Sequence, residues 1–444
     1  MAIVDSWTSA RAARQVLSLA HKLLSERGQA NSLGLAHDLI GRMGALPADA
    51  WPAVFDKLAA DFNPEPAAVL RSAQAYADAP GTETLGQLTE VSEPPRQELF
   101  RRLNRAPGGT GTLVRMRRRL LEGLSSHPDW RMVDADLLHL LSSWFNPGFL
   151  EMRQVDWHSP AHLLEQIIHH EAVHAIDGWD DLRRRLLPDR RLFAFFHPQL
   201  PNEPLIFVEI ALLPDMPDAI APLIGKRSEA MPPNSFKTAV FYSISNCEPG
   251  LRGVSLGNFL IKRVAEHLRR ELPRLKLFCT LSPIPGFARW LQALRTADDA
   301  APGRAPPTPS ALPSRLADLP GLKPAQRSRA AEALERLKHH SPTELASPAA
   351  LDDEALQADL RRLAAVYLIG QTPLPGGDPV ARFHLDNGAR LERLNPGGDR
   401  SAKGLKQSHG MMVNYLYDLD RIEEHHEAFT QGEIATARAV GGLL

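Results

Sequence analysis

From about Ala10 to Phe145, apolar residues return every three or four positions, the spacing of one helix face. Val16, Leu19, Ala20, Leu23 and Leu24 form one stripe; Leu113, Met116, Leu120 and Leu121 form another. Breaks fall at Pro80-Gly81 and Pro107-Gly108-Gly109. The expectation is an all-helical bundle over residues 1–153 that supports or oligomerises the rest of the chain. Beyond Gln154 the pattern changes. Leu205 to Leu212 predicts a buried strand, Ala239 to Ser245 a second, Leu275 to Leu281 a third and Gly410 to Tyr417 a last one, with an amphipathic helix over 258–271. Helices are also predicted at Pro324–His339 and Asp353–Gly370, after a stretch rich in Pro and Ala from Asp298 to Pro313. The fold class is therefore α+β. A mixed α/β catalytic domain over 154–444 is expected, with an insertion at about 298–370.

The segment from Phe241 to Trp290 carries the most chemistry: strand, glycine-punctuated loop, helix, strand, then a turn with a serine. In the loop, Arg252-Gly253-Val254-Ser255-Leu256-Gly257 leads directly into Asn258 and the helix. Glycines let backbone N–H groups approach a ligand, and a helix start favours an anion, so the loop suits a diphosphate. It lacks the G-x-x-x-x-G-K-[ST] pattern and the third glycine of a Rossmann turn. An Arg followed by two glycines between strand and helix resembles instead the coenzyme A loop of GNAT-type acyltransferases. In isolation the same glycines also fit a plain connection without a ligand.

Longer strings carry a resemblance to a family. Phe241-Tyr242-Ser243-Ile244-Ser245, Gly253-Val254-x-Leu256-Gly257, Phe259-Leu260-Ile261-Lys262-Arg263-Val264 and Leu281-Ser282-Pro283-Ile284-Pro285-Gly286-Phe287 are similar to malonyl-CoA decarboxylases. So are Trp157-His158-Ser159-Pro160, Glu171-Ala172-Val173-His174, Glu203-Pro204-Leu205 and Phe383-His384-Leu385-x-Asn387-Gly388-Ala389, all in collinear order between Phe149 and Tyr417. The resemblance implies a GNAT-type catalytic domain that converts malonyl-CoA to acetyl-CoA and CO2, with no cofactor. It places the catalytic serine on Ser282 and the histidine on His384. Substrate contacts fall on Ser243 and on Arg252, Gly253, Val254, Ser255, Leu256, Gly257 and Asn258. Some members carry glutamate where this chain has Ser255, so any role of that acid is absent here.

The chemistry agrees with those residue types. Losing CO2 from the carboxylate of a malonyl thioester leaves an enolate, so catalysis must bind developing charge and then protonate carbon. Ser282, held between prolines, can hydrogen-bond the carboxylate or take its proton. His384, expected in an extended stretch before the hairpin signal Asp386-Asn387-Gly388, can donate a proton near neutral pH. Taken alone, a serine before proline is a common turn former, and a strand histidine is commonly structural. His174, Asn414 and Tyr415 are possible supporting residues, the last two also fitting a core strand.

One rival signal is His170-Glu171-Ala172-Val173-His174, a literal H-E-x-x-H expected on a helix with Ser159 as its N-cap and Pro160 in the first turn. Histidines one turn apart can chelate zinc for a hydrolase. Asp177 stands where the metzincin extension needs glycine, so a metal site is not expected. A CoA-dependent N-acyltransferase is the other alternative.

Composition narrows the setting. A net charge of −1 gives no general attraction to nucleic acid or anionic membranes. Two cysteines, Cys247 and Cys279, imply no disulfide framework. No apolar run approaches membrane-spanning length, and the N-terminus lacks a signal-peptide core. A cytoplasmic homo-oligomer acting on malonyl-CoA is expected.

Overall fold

The computed structural model describes residues 2–25, 31–226, 229–257, 260–297, 316, 319, 321–374 and 376–444, the first few as backbone only. Asn258 and the Pro/Ala-rich stretch from Asp298 to Pro313 lie outside the described residues. The chain forms two compact units. One comprises Met1–Glu151 with Phe195–Leu205 and Cys247–Leu256; the other comprises Met152–Ala194, Ile206–Asn246 and Gly257–Leu444.

The first unit holds helices α1 (Ala2–Leu24), α2 (Ser32–Gly44), α3 (Trp51–Asp61), α4 (Pro66–Asp78), α5 (Thr82–Ser92), α6 (Pro95–Asn104), α7 (Gly109–Gly123) and α8 (Arg131–Trp144). The stripes turn inward: Val16, Ala20 and Leu23 are buried on α1, and Leu113, Met116 and Leu120 on α7. Arg117, also on α7, is buried by design of its partners. Its guanidinium donates to Asp134 Oδ1 at 2.8 Å and to the carbonyl of Gly250 at 2.8 Å. A Cβ at Gly250 would lie 2.1 Å from the Val114 carbonyl oxygen, so only glycine lets this segment approach α7 so closely.

The second unit is built on a mixed sheet, giving the α+β class. Its strands are β1 (Glu151–Val155), β2 (Arg190–Phe196), β3 (Ile206–Leu213), β4 (Thr238–Asn246), β5 (Leu277–Thr280), β6 (Ser282–Pro283), β7 (Arg390–Asn395) and β8 (Met412–Leu416). The order is β1-β2-β3-β4-β5-β8-β6, with β7 also on β8. Around it lie α9 (Ala161–His170), α10 (Trp179–Arg185), α11 (Leu260–Glu271), α12 (Phe287–Ala297), α13 (Pro324–Lys338), α14 (Glu354–Val366), α15 (Pro379–Asp386) and α16 (Ala402–Ser408). β4 is antiparallel to β3 along its whole length but parallel to β5 only from Thr238 to Phe241. The remainder of β4, residues 242–246, extends past the end of that pairing. Such a divergence opens a gap in a sheet, and the functional cavity lies there.

Two expectations need correction. His384 is not on an extended stretch before a hairpin: it lies in the last turn of α15. Asp378 caps that helix by accepting the N–H groups of Val380 and Ala381, both at 3.0 Å, and Pro379 supplies its first turn. The Asp386-Asn387-Gly388 signal ends the helix, with Gly388 at φ +77° and Ala389 N–H donating to the His384 carbonyl at 3.0 Å. Glycine with positive φ serves hairpin and helix stop alike, so the motif was ambiguous. The H-E-x-x-H segment is likewise not helical throughout. α9 starts at Ala161 and stops at His170, leaving Glu171–His174 outside it. Ser159 does not cap α9; its hydroxyl oxygen accepts the Asp156 N–H at 3.1 Å.

Asp378 also reaches across 92 residues, its Oδ2 accepting the Gly286 N–H at 3.1 Å. Asp378→Ala should therefore lower unfolding free energy by about 2–4 kcal/mol, combining a lost cap with a stranded buried donor. Asp378→Asn should recover much of that loss in urea denaturation, because its amide oxygen can still cap.

Candidate active site

β8 sets the position of Ser282. It pairs with β5 through Cys279 and Leu416, and with β6 through Ser282 and Val413. The link between β5 and β6 is locked from both sides of Thr280. Its Oγ1 accepts the Tyr415 N–H at 3.2 Å, and its carbonyl accepts Asn414 Nδ2 at 2.8 Å. Ser282 Oγ then lies 2.9 Å from Thr280 Oγ1 and 3.0 Å from His384 Nε2. On the far side of the ring, His384 Nδ1 lies 2.9 Å from the Tyr417 hydroxyl. The Tyr415 ring stacks on the imidazole, with centroids 4.6 Å apart.

Ser282, His384, Thr280, Tyr415 and Tyr417 are all buried. Thr280, Ser282, His384 and Tyr417 form one hydrogen-bonded chain. Ser282 donates to Thr280, so its oxygen accepts from His384 Nε2–H and Nδ1 accepts from the Tyr417 hydroxyl. This arrangement keeps the histidine neutral. Burial favours that state, pushing the imidazole down to about 3. It also raises the Tyr417 phenol well above its usual value, so the hydroxyl keeps its proton.

Ser282 and His384 line a cavity of about 300 Å³. Its other walls include Val173, Ile206, Phe241, Ile244, Val380 and Phe383, and among the described residues no Lys, Arg, Asp or Glu lines it. A larger cleft of about 540 Å³, lined by residues of α12 and α16, contains neither Ser282 nor His384. The smaller cavity has the reactive pair and is the functional candidate.

The remaining candidates distribute as follows. Ser243 lines the cavity and its hydroxyl lies 2.7 Å from both carboxylate oxygens of Glu171. Arg252, Gly253 and Ser255 are exposed, whereas Val254, Leu256 and Gly257 are buried. Among the described residues, the N–H groups of Gly253, Ser255 and Gly257 make no hydrogen bond. Gly253 adopts φ +87°. A Cβ at Gly257 would lie 2.3 Å from the Phe383 ring, beside His384. Asn414 spends its whole amide inside the fold: it donates to Thr280 and Pro217 carbonyls and accepts from Arg393 and Asn395. Nothing remains for a ligand. His174 lines a neighbouring cavity of about 210 Å³, and that cavity shares Val173 and Pro283 with the first. Burial, then the charge of Arg185, lowers its pKa to about 4. Cys279 is a protonated core thiol, raised by burial to about 12.

Thr280 and Tyr417 were not singled out from sequence. Both were within reach of strand alternation, since Thr280-x-Ser282 and Tyr415-x-Tyr417 each put two side chains on one face. No three His, Cys, Asp or Glu side chains are grouped to hold a metal among the described residues. No helix among them is long and apolar enough to cross a membrane.

A buried, neutral serine–histidine–tyrosine chain facing an uncharged cavity marks an α+β protein whose proton chemistry is screened from bulk water. The comparisons narrow that class. The malonyl-CoA decarboxylase C-terminal domain matches residues 148–444, and the N-terminal domain of the same family matches residues 62–145. The chain belongs to the malonyl-CoA decarboxylase family. It is 40% identical over 329 residues to the mitochondrial malonyl-CoA decarboxylase of Rattus norvegicus, covering 72% of this chain and 65% of that one. It is 37% identical over 343 residues to that of Anser anser anser, covering 76% and 66%. These matches span just under two thirds of the length of the two animal relatives. The crystal structure of malonyl-CoA decarboxylase from Rhodopseudomonas palustris superposes with a TM-score of 0.80 at 46% identity, covering 96% of this chain and 98% of that one. The enzyme from Cupriavidus metallidurans gives 0.68 at 36% identity, covering 98% and 100%.

The depressed histidines predict an acid-sensitive fold. His384 at about 3, with His174 and His409 at about 4, stays unprotonated in the native state at pH values where the unfolded chain binds protons. Stability should fall as pH drops below about 6.5, by up to ~1.4 kcal/mol per pH unit for each histidine. Denaturant titrations between pH 7 and pH 4.5 check this, and His384→Gln should remove one proton from the slope.

Proposed function

We propose that the protein decarboxylates malonyl-CoA to acetyl-CoA and CO2. The observation that carries this reading is the Ser282–His384 hydrogen bond facing a cavity without a charged wall. An uncharged wall gives the malonyl carboxylate no cation to stabilise it. Its charge is better accommodated once dispersed into the thioester enolate, so desolvation acts in the direction of C–C cleavage.

In this mechanism the Ser282 hydroxyl donates a hydrogen bond to the carboxylate. The C–C bond, held perpendicular to the thioester plane, breaks, and its electron pair passes into the carbonyl. Ser282 then delivers its proton to the enolate carbon while His384 Nε2–H, held in that tautomer by the hydrogen bond from Tyr417 to Nδ1, donates to the serine oxygen; one proton from solvent restores the hydroxyl. The thioester is the electron sink, so the chemistry requires no cofactor. Thr280 and Tyr415 are positioning residues, holding the serine and the imidazole.

Residues 252–258 are assigned to the coenzyme A diphosphate, on the strength of the free backbone N–H groups and Arg252. The divergence of β4 from β5 supports a GNAT-type sheet, with the pantetheine arm running along the open edge of residues 242–246. The same reading takes residues 1–153 as an oligomerisation or support domain and 154–444 as the catalytic domain of a cytoplasmic homo-oligomer. It requires no nucleic acid or membrane. An N-acyltransferase on the same loop would need a base for an amine acceptor, whereas His384 is enclosed with Tyr417 and Ser282.

Purified protein should form acetyl-CoA from malonyl-CoA with EDTA present, followed by mass spectrometry. Ser282→Ala and His384→Ala should each lower kcat/KM by about 10²–10⁴-fold. Tyr417→Phe should cost about tenfold, one hydrogen bond's worth. Acetyl transfer to an amine without decarboxylation would favour the acyltransferase, and hydrolysis abolished by chelator would favour the zinc reading.

A further inference from the structure

The segment from His170 to His174 is not used by this chemistry, yet its glutamate is buried beside the cavity. Glu171 Oε1 accepts the N–H groups of Val173 and His174, each at 2.8 Å. Ser243 Oγ lies 2.7 Å from both carboxylate oxygens, and Ser245 Oγ donates to Oε2 at 3.1 Å. Ser245 in turn accepts the Ala172 N–H at 3.2 Å. From α16, Lys403 Nζ donates to the Val173 carbonyl at 3.0 Å. Among the described residues, no Lys or Arg forms an ion pair with Glu171; Arg185 instead pairs with Asp181 and Glu209. Hydrogen bonds alone satisfy this carboxylate, and they stitch the segment to β4.

The consequence for the cavity follows from counting protons. Val173 and Ser243 both line it. An ionised carboxylate only accepts, and a serine has one proton, so Ser243 commits that proton to Glu171. Toward any ligand, the Ser243 oxygen offers lone pairs only. We propose that Glu171 is a positioning residue for substrate binding. It fixes the Val173 and Ser243 walls and makes Ser243 an obligatory acceptor, suited to an amide N–H of the pantetheine arm and not to a carboxylate or phosphate. This assignment of the ligand rests on the decarboxylase reading.

The test is steady-state kinetics with malonyl-CoA on Glu171→Gln, Ser243→Ala and the double variant, alongside calorimetric titration with CoA and thermal melting. Glu171→Gln keeps the shape but replaces an acceptor oxygen with a donor, which releases the Ser243 proton. KM and the CoA dissociation constant should each rise about tenfold, with kcat within about threefold of wild type. The double variant should be no worse than the more affected single, because both act through one hydrogen bond. Should Glu171→Gln fail to fold, Ser243→Ala alone carries the test. A kcat loss with KM unchanged, additive effects, or wild-type KM and CoA affinity in both single variants would overturn the inference. If wild type makes no acetyl-CoA, the decarboxylase reading fails, and the CoA titrations still decide the role of Glu171.

Discussion

The site depends above all on the buried carboxylate of Asp378. Ser282 and His384 are 102 residues apart in the chain. Asp378 closes that gap by starting the helix that carries His384 and accepting the N–H of Gly286 in the turn that follows Ser282. The Tyr367 hydroxyl also lies 3.4 Å from it. A Cβ on Gly286 would lie 2.0 Å from that hydroxyl, so the turn needs glycine to reach the carboxylate. Burial raises the Asp378 pKa, and the backbone donors oppose the rise. The group is costly to bury, and its hydrogen bonds justify the cost by fixing a turn and a helix at once.

Charge is sorted within the second unit. Close to the cavity, Arg185 bonds to Asp181 and Glu209, and Arg184 and Arg190 bond to Asp189, all of them buried. Burial pushes Glu209 up to about 7, with Arg185 acting against the shift. These ions pair with one another, whereas no charged side chain lines the cavity among the described residues. A fixed cation there would hold a substrate carboxylate in its ground state. Under the proposed decarboxylation, keeping these three arginines occupied elsewhere leaves a surface on which neutral CO2 is the better-tolerated product.

The site is read from both strand faces and helix ends. Alternation sends Thr280 and Ser282 to one side, and Tyr415 and Tyr417 to one side, so a hydroxyl pair meets a phenol pair across a single histidine. The imidazole is held by stacking on Tyr415 and by hydrogen bonds at both nitrogens. Such fixing lowers the reorganisation needed as a proton moves.

Local pattern was enough for much of this protein. Helical stripes, the strands around Ile206 and Phe241, the loop after β4 and the string around Ser282 are governed by residue periodicity, glycine and proline, which act over a few neighbours. The strings also carried the family resemblance. Two segments were misread because their local signals have two uses. Asp-Asn-Gly fits a hairpin or a helix stop, and H-E-x-x-H fits a zinc helix or, as here, a helix end followed by a buried carboxylate. Only tertiary structure chose between them, since the deciding partners are distant: Gly286 for Asp378, and Ser243 for Glu171. It also decided the neutral state of His384, because desolvation depends on what the fold packs around the ring. Residue identity and local spacing limit which side chains could do the chemistry; long-range packing selects which of them meet, and in what protonation state.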